Sequence, residues 1–150
     1  MLNKSMMLSI LLMLTASLLP GFGADQTVAS LMKKIDQQAL QERQISDEQA
    51  ENQHAIETAR KMEVMVHDLT PSQLVDLIRL CWQKIHEIPS DSKHARYSHY
   101  FEEVIHFSIS RLGDLKTDAA KQALDSVRVI ISGAASLMET WDEAKEKQAK

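Results

Sequence analysis

The sequence predicts an all-α fold, an up-and-down four-helix bundle with an additional or extended N-terminal helix. Three observations carry this. Apolar residues recur at steps of three and four, the spacing that lines up one face of a helix, and no segment alternates with the period of two that a strand needs. Beyond residue 23 the only glycines and prolines are Gly113, Gly133, Pro71 and Pro89. The connections predicted at 89–92 and 113–116 are short, which sets neighbouring helices antiparallel.

The chain has 150 residues. Its first 23 read as a signal peptide: Lys4 supplies a positive charge, and Met6 to Leu19 form an apolar run. That run is shorter than the ~20 residues a membrane-spanning helix needs. Pro20-Gly21 ends it, and Gly21 and Gly23 suit cleavage before Ala24, an uncleaved N-terminal anchor being the alternative. Residues 24–150 then form one helical domain that is periplasmic or secreted. No later stretch is apolar enough to span a membrane. Cys81 is the single cysteine, so no intramolecular disulfide can form. The one Asn-x-Ser/Thr acceptor, Asn3-Lys4-Ser5, leaves with the leader, which suits a bacterial periplasm.

Of 17 basic residues Lys4 is lost on cleavage while all 21 acids remain, so the mature charge is 16 − 21 = −5 with histidine neutral. An acidic chain without a basic stripe excludes nucleic acid and anionic membranes as partners.

Val28, Leu31, Met32, Ile35 and Ala39 share one face of a helix expected over 25–44. Ser46-Asp47-Glu48-Gln49 reads as a capping box opening a second helix, whose inward stripe is Ala55, Ala59, Met62, Val66 and Leu69. Ile56 and Val64 fall off that stripe, so cover on more than one side is expected. Thr70-Pro71-Ser72-Gln73 is the clearest start signal: Thr70 caps, Pro71 fills the first turn, Gln73 closes the box, and Leu69 can staple onto Leu74. That helix carries Leu74, Leu77, Ile78, Cys81, Ile85 and Ile88 inward and ends at Pro89. The next presents Tyr97, Phe101, Val104, Ile105, Ser108 and Leu112, with Gly113 expected as its left-handed terminator. From Thr117 to about Lys147 a single strut is expected. Ala120, Leu124, Val127, Ile131, Ala134, Met138 and Trp141 form its stripe, over a length of about 45 Å at ~1.5 Å per residue. The charged stretch 142–150 is expected to fray.

His99, Glu103 and His106 lie within one helical arc beside Glu102, and two imidazoles with a carboxylate are ligands for zinc or copper. The same residues suit a solvated helix face without function. Glu103-Val104-Ile105-His106 matches one ExxH element of a di-iron bundle, but the second copy such a site needs does not occur. His54, His67, His86 and His94 are read as surface or edge residues. Cys81 is expected to be a buried, inert thiol. Ser132, Gly133 and Ser136 form a small-residue notch beside Val129, an interaction surface for a protein partner or a homodimer; a solvent-facing bend is the alternative. No Gly-x-Ser-x-Gly elbow, HExxH pair or phosphate-cradling loop occurs. The chain is therefore read as a binding protein and not an enzyme, with no resident cofactor.

The order of parts resembles the periplasmic four-helix-bundle cytochromes that hold haem b non-covalently. The likeness lies in the leader ending before Ala24-Asp25, Leu31-Met32-Lys33-Lys34, the Gln73 to Pro89 helix, the Tyr97–Phe101 helix start, and Gly113-Asp114-Leu115 before Ala119 to Leu124. The resemblance implies a Met ligand in the first helix, which Met32 matches, and a His late in the last, which nothing after His106 supplies. Haem is therefore not expected, and a covalent attachment is excluded by the lack of Cys-x-x-Cys-His. Leu69-Thr70-Pro71-Ser72-Gln73, and more loosely Ile45-Ser46-Asp47-Glu48-Gln49, is similar to the Leu-Thr-x-x-Gln motif of periplasmic chaperone and envelope-stress proteins. That likeness implies a holdase-like role.

Overall fold

A computed structural model describes residues 26–46 and 53–150. Within them the chain is all-helical, with six α-helices and no strand. The leader, the start at Ala24 and residues 47–49 of the first expected capping box lie outside the described residues. No helix among the described residues is long and apolar enough to cross a membrane.

Helix α1 (Gln26–Glu42) buries Val28, Ile35 and Ala39, the face its spacing predicts. Helix α2 (Gln53–His67) buries only Met62 and Val66. Ile56 and Val64 are exposed, Val64 at 75%, so the expected cover on a second side is missing. The reason is positional: among the described residues α2 packs substantially against one helix alone, α4.

Helix α3 (Pro71–Glu87) starts as its letters predict. The Gln73 N–H donates to Thr70 Oγ1 at 3.2 Å, and the Thr70 N–H donates to Gln73 Oε1 at 2.9 Å. Two amides that a helix start leaves unpaired are thereby satisfied within four residues of sequence. Leu74, Leu77, Ile78 and Cys81 are fully buried, each apolar side chain of this size contributing ~1.5–3 kcal/mol on transfer from water. Asp91 then caps a 3-10 turn, Ser92–His94, by accepting from the His94 N–H at 3.0 Å.

Helix α4 (Ala95–Asp114) is the hub. It touches all five other helices, and its buried residues include Tyr97, Tyr100, Phe101, Ile105 and Leu112. Gly113 is helical and does not terminate α4 in a left-handed conformation. A Cβ built on it would meet Ala144 Cα at 2.8 Å and Cβ at 2.9 Å. Gly113 is there for space, because another helix crosses at backbone contact.

The expected strut is two helices. Helix α5 (Asp118–Ile130) is capped by Thr117, whose hydroxyl oxygen accepts from the Ala120 N–H at 3.2 Å. The chain turns through Ile131–Ala134, with Gly133 at a φ of +91°, and resumes as α6 (Ala135–Ala149). The turn shifts the apolar stripe. A continuous helix would face Ala134, Met138 and Trp141 inward, whereas α6 buries Leu137, Trp141, Ala144 and Gln148. Turned away from the axis of α5, it lies chiefly against α4, with Ala144 on Gly113. Trp141 still reaches back, its indole N–H donating to the Leu124 carbonyl at 2.6 Å. The stretch expected to fray is helical to Ala149, because Gln148 donates to the Leu112 carbonyl at 2.9 Å and so closes the end of α4.

Candidate functional site

Because α2 leans on α4 alone, a cleft of about 1190 Å³ opens between α2, the end of α3 and the first half of α4. Met62, Ile85, Ile88 and Phe107 give it apolar walls. Glu42 enters from the end of α1, His54 and Thr58 from α2, and Asp91 from the turn before α4.

Glu42 Oε1 meets His54 Nε2 at 2.7 Å and accepts from the Thr58 hydroxyl at 3.5 Å. Thr58 Oγ1 lies 3.5 Å from the same His54 nitrogen. A nucleophile triad needs hydroxyl and carboxylate on opposite nitrogens of the ring, so that one takes the proton while the other steadies the charge. Here both crowd one nitrogen. The arrangement is a hydrogen-bonded group on the cleft wall and lacks the two-sided geometry of a nucleophile triad.

Tyr100 lies beside this network. It is 4% exposed, lines the cleft, and its hydroxyl makes no hydrogen bond among the described residues. Burial, and secondarily the nearby Glu42 carboxylate, push its phenol up to about 12. Tyr97, one turn earlier, instead donates to Asp36 of α1 and stacks edge-on against Phe101. Its pKa is raised by burial and by that bond. Tyr97 is therefore a core residue with a satisfied hydroxyl, and Tyr100 offers an unused one to the cleft.

The sequence-predicted metal arc does not converge. His99 pairs with Glu103 at 3.5 Å, while His106 lies 3.8 Å from Glu102. His106 also turns toward α6, with Nδ1 2.6 Å from Thr140 Oγ1 and Nε2 3.4 Å from Ser136 Oγ. Among the described residues no three His, Cys, Asp or Glu side chains are grouped to hold an ion. His99 and Glu103 line the cleft as a pair, and His106 belongs to the α4–α6 seam.

Ser132, Gly133 and Ser136 are not a notch on a helix flank. Ser132 and Gly133 lie in the α5–α6 turn, and no atom comes within 4 Å of a Cβ built on Gly133. Ser136 is occupied, donating to Glu102 at 3.0 Å. Cys81 is buried as expected, its thiol pushed well above the usual range by burial, and it donates to Met32 Sδ at 3.8 Å. Met32 is thus engaged with a core thiol.

Tyr100 and the Glu42–His54–Thr58 group are the site residues that sequence reasoning missed. Tyr100 had a local signal, since it falls one residue from the inward stripe of α4. Glu42 and His54 had none, because they meet only through tertiary packing. No family model, curated protein or solved structure matches the chain.

Proposed function

We propose that this chain is an exported binding protein without catalytic activity or a resident cofactor, and that the cleft between α2, α3 and α4 is its binding surface. The observation that carries the reading is the cleft itself, with apolar walls and the unpaired hydroxyl of the buried Tyr100. Volumes of ~300–1,000 Å³ with apolar walls and a few fixed polar groups are the usual form of a ligand site, and this one is slightly larger. The single-nitrogen arrangement at His54 supports a binding role over hydrolysis. Export and a periplasmic or secreted location follow from the leader-like first 23 residues. For the architecture, we read an up-and-down four-helix bundle with an additional N-terminal helix, its last member split at Gly133. Packing of α3 on α4, α4 on α5 and α5 on α6, each next in sequence, supports it.

A protein partner, or a second copy of the chain, is the second reading, favoured by Ile56 and Val64, which stand exposed on α2 outside the lining of the cleft. The test is saturable uptake of an uncharged, environment-sensitive naphthalene dye by the full chain. Ala59 lines the cleft from α2, and Ala59→Trp should obstruct that wall and weaken uptake. Uptake that is absent, or indifferent to that substitution, defeats the proposal.

A further inference from the structure

We infer that the cleft selects an organic ammonium ion, a cationic amine carried on an apolar body. This deepens the binding reading above and rests on it.

The charge around the cleft is one-sided. Glu42, Asp91, Glu102 and Glu103 line it against Arg96 as the one Lys or Arg among the described residues, a formal sum of −4 + 1 = −3 with His54, His86 and His99 counted as neutral. What matters is how those carboxylates are satisfied. Glu42 pairs with His54 at 2.7 Å, Asp91 with His94 at 2.7 Å, and Glu103 with His99 at 3.5 Å. Glu102 accepts from Ser136 at 3.0 Å and lies 3.8 Å from His106. Among the described residues no lysine or arginine is ion-paired with any of these carboxylates. Elsewhere in the molecule acids do take cations, as Asp125 takes Lys145 at 2.9 Å and Asp114 takes Lys147 at 3.2 Å. An uncharged imidazole or hydroxyl orients a carboxylate without cancelling its charge. The cleft therefore keeps a negative field beside walls of low polarity, where a charge interacts more strongly than it does in open water.

The Tyr100 hydroxyl supplies a second, independent observation. The Tyr100 ring is buried, while its oxygen is not among the sealed polar atoms and so faces the open cleft, free to bond to whatever enters. Its oxygen can accept a hydrogen bond from an ammonium N–H, and Tyr100 and Phe107, both lining the cleft, are aromatic residues of the kind that attract a cation. An anion would meet the same four carboxylates as repulsion, and its oxygens could use only the donor side of the phenol. Met62, Ile85 and Ile88 then receive the apolar body.

The experiment is calorimetric titration of the full chain with three probes sharing one alkyl chain: octylammonium, 1-octanol and octanoate. Octylammonium should bind one-to-one and on the order of tenfold or more tighter than octanoate, the factor that ~1.4 kcal/mol supplies. Glu103→Gln, at the cleft rim, should narrow that ratio without changing octanol binding. Tyr100→Phe should weaken octylammonium by more than octanol, whose hydroxyl also reaches the phenol but makes an uncharged and weaker bond; if the hydroxyl were only structural, the two probes would move together. Octanoate binding as tightly as octylammonium overturns the charge inference while leaving a binding cleft in place. If none of the three probes binds, the cleft is not a ligand site and both readings fall.

Discussion

Replacing Gly113 with alanine sets two known effects against each other at one position. Alanine is the better helix former by ~1 kcal/mol, so a helical glycine viewed alone should gain stability on substitution. The added methyl, however, would lie 2.8 Å from Ala144 Cα, 2.9 Å from its Cβ and 3.1 Å from its carbonyl oxygen. Comfortable carbon contacts are about 3.5–4.0 Å, so α6 must retreat from α4 by roughly 0.7–1 Å. Cα and carbonyl are backbone atoms and cannot swing away. Overpacking of this kind costs about 1–3 kcal/mol, more than the propensity gain returns. The retreat would also strain the Gln148 bond to the Leu112 carbonyl. We expect Gly113→Ala to lose about 1–2 kcal/mol in urea titration at an unchanged denaturant slope. Ala144→Gly in the same background should recover only part, because two of the three close atoms remain. A variant as stable as the parent would refute the close approach of α4 and α6.

Gly133 should behave oppositely. Its surroundings are empty and its φ is +91°, so Gly133→Ala should cost about 1 kcal/mol through backbone strain, with Gly133→Asn milder; equal stability of all three forms in urea would contradict the turn. The chain's two tyrosines, Tyr97 and Tyr100, should remain un-ionised in the folded protein well past the ordinary phenol value of ~10. Both phenols are raised on folding, so the native state holds protons that the unfolded state has released. The stability these two groups contribute is therefore fully present below about pH 10 and is lost as pH rises toward about 12. Phenolate absorbance followed beside helical circular dichroism checks this: ionisation and helix loss should coincide, and Tyr100→Phe should flatten the decline. Phenolate appearing near pH 10 with the helices intact would show that the rings are not held as described.

What could be read from the sequence was local. The Thr70–Gln73 box joins residues three apart, so its letters determine its geometry wherever the helix later packs. The inward faces of α1, α3 and α4 were equally legible, because a helix with one buried stripe repeats it in sequence. The strut failed for an instructive reason. Its three-and-four spacing runs on through Ile131 and Ala134, yet Leu137 is buried at 1% exposure only because the chain turns at Gly133 and offers α4 a new face. That choice depends on Ala144 fitting over Gly113, a contact between residues far apart in sequence. Helical arithmetic likewise put His106 within reach of Glu103 but carried no information about Thr140, the group it meets at 2.6 Å. The cleft was the least legible feature, since α1, α2 and α4 must be assembled before Glu42, His54 and Tyr100 surround one space.

The lean of α2 on α4 has a consequence for how the molecule breathes. Proteins open in units whose cost follows the contacts each unit must surrender. α4 is held by five helices and should be among the last elements to exchange its amide hydrogens, whereas among the described residues α2 gives up chiefly the α4 seam and the His54–Glu42 link. Detaching α2 is also the motion that widens the cleft. Entry of a ligand and local unfolding of this helix therefore draw on the same free energy, and whatever fills the cleft should slow exchange in α2 first.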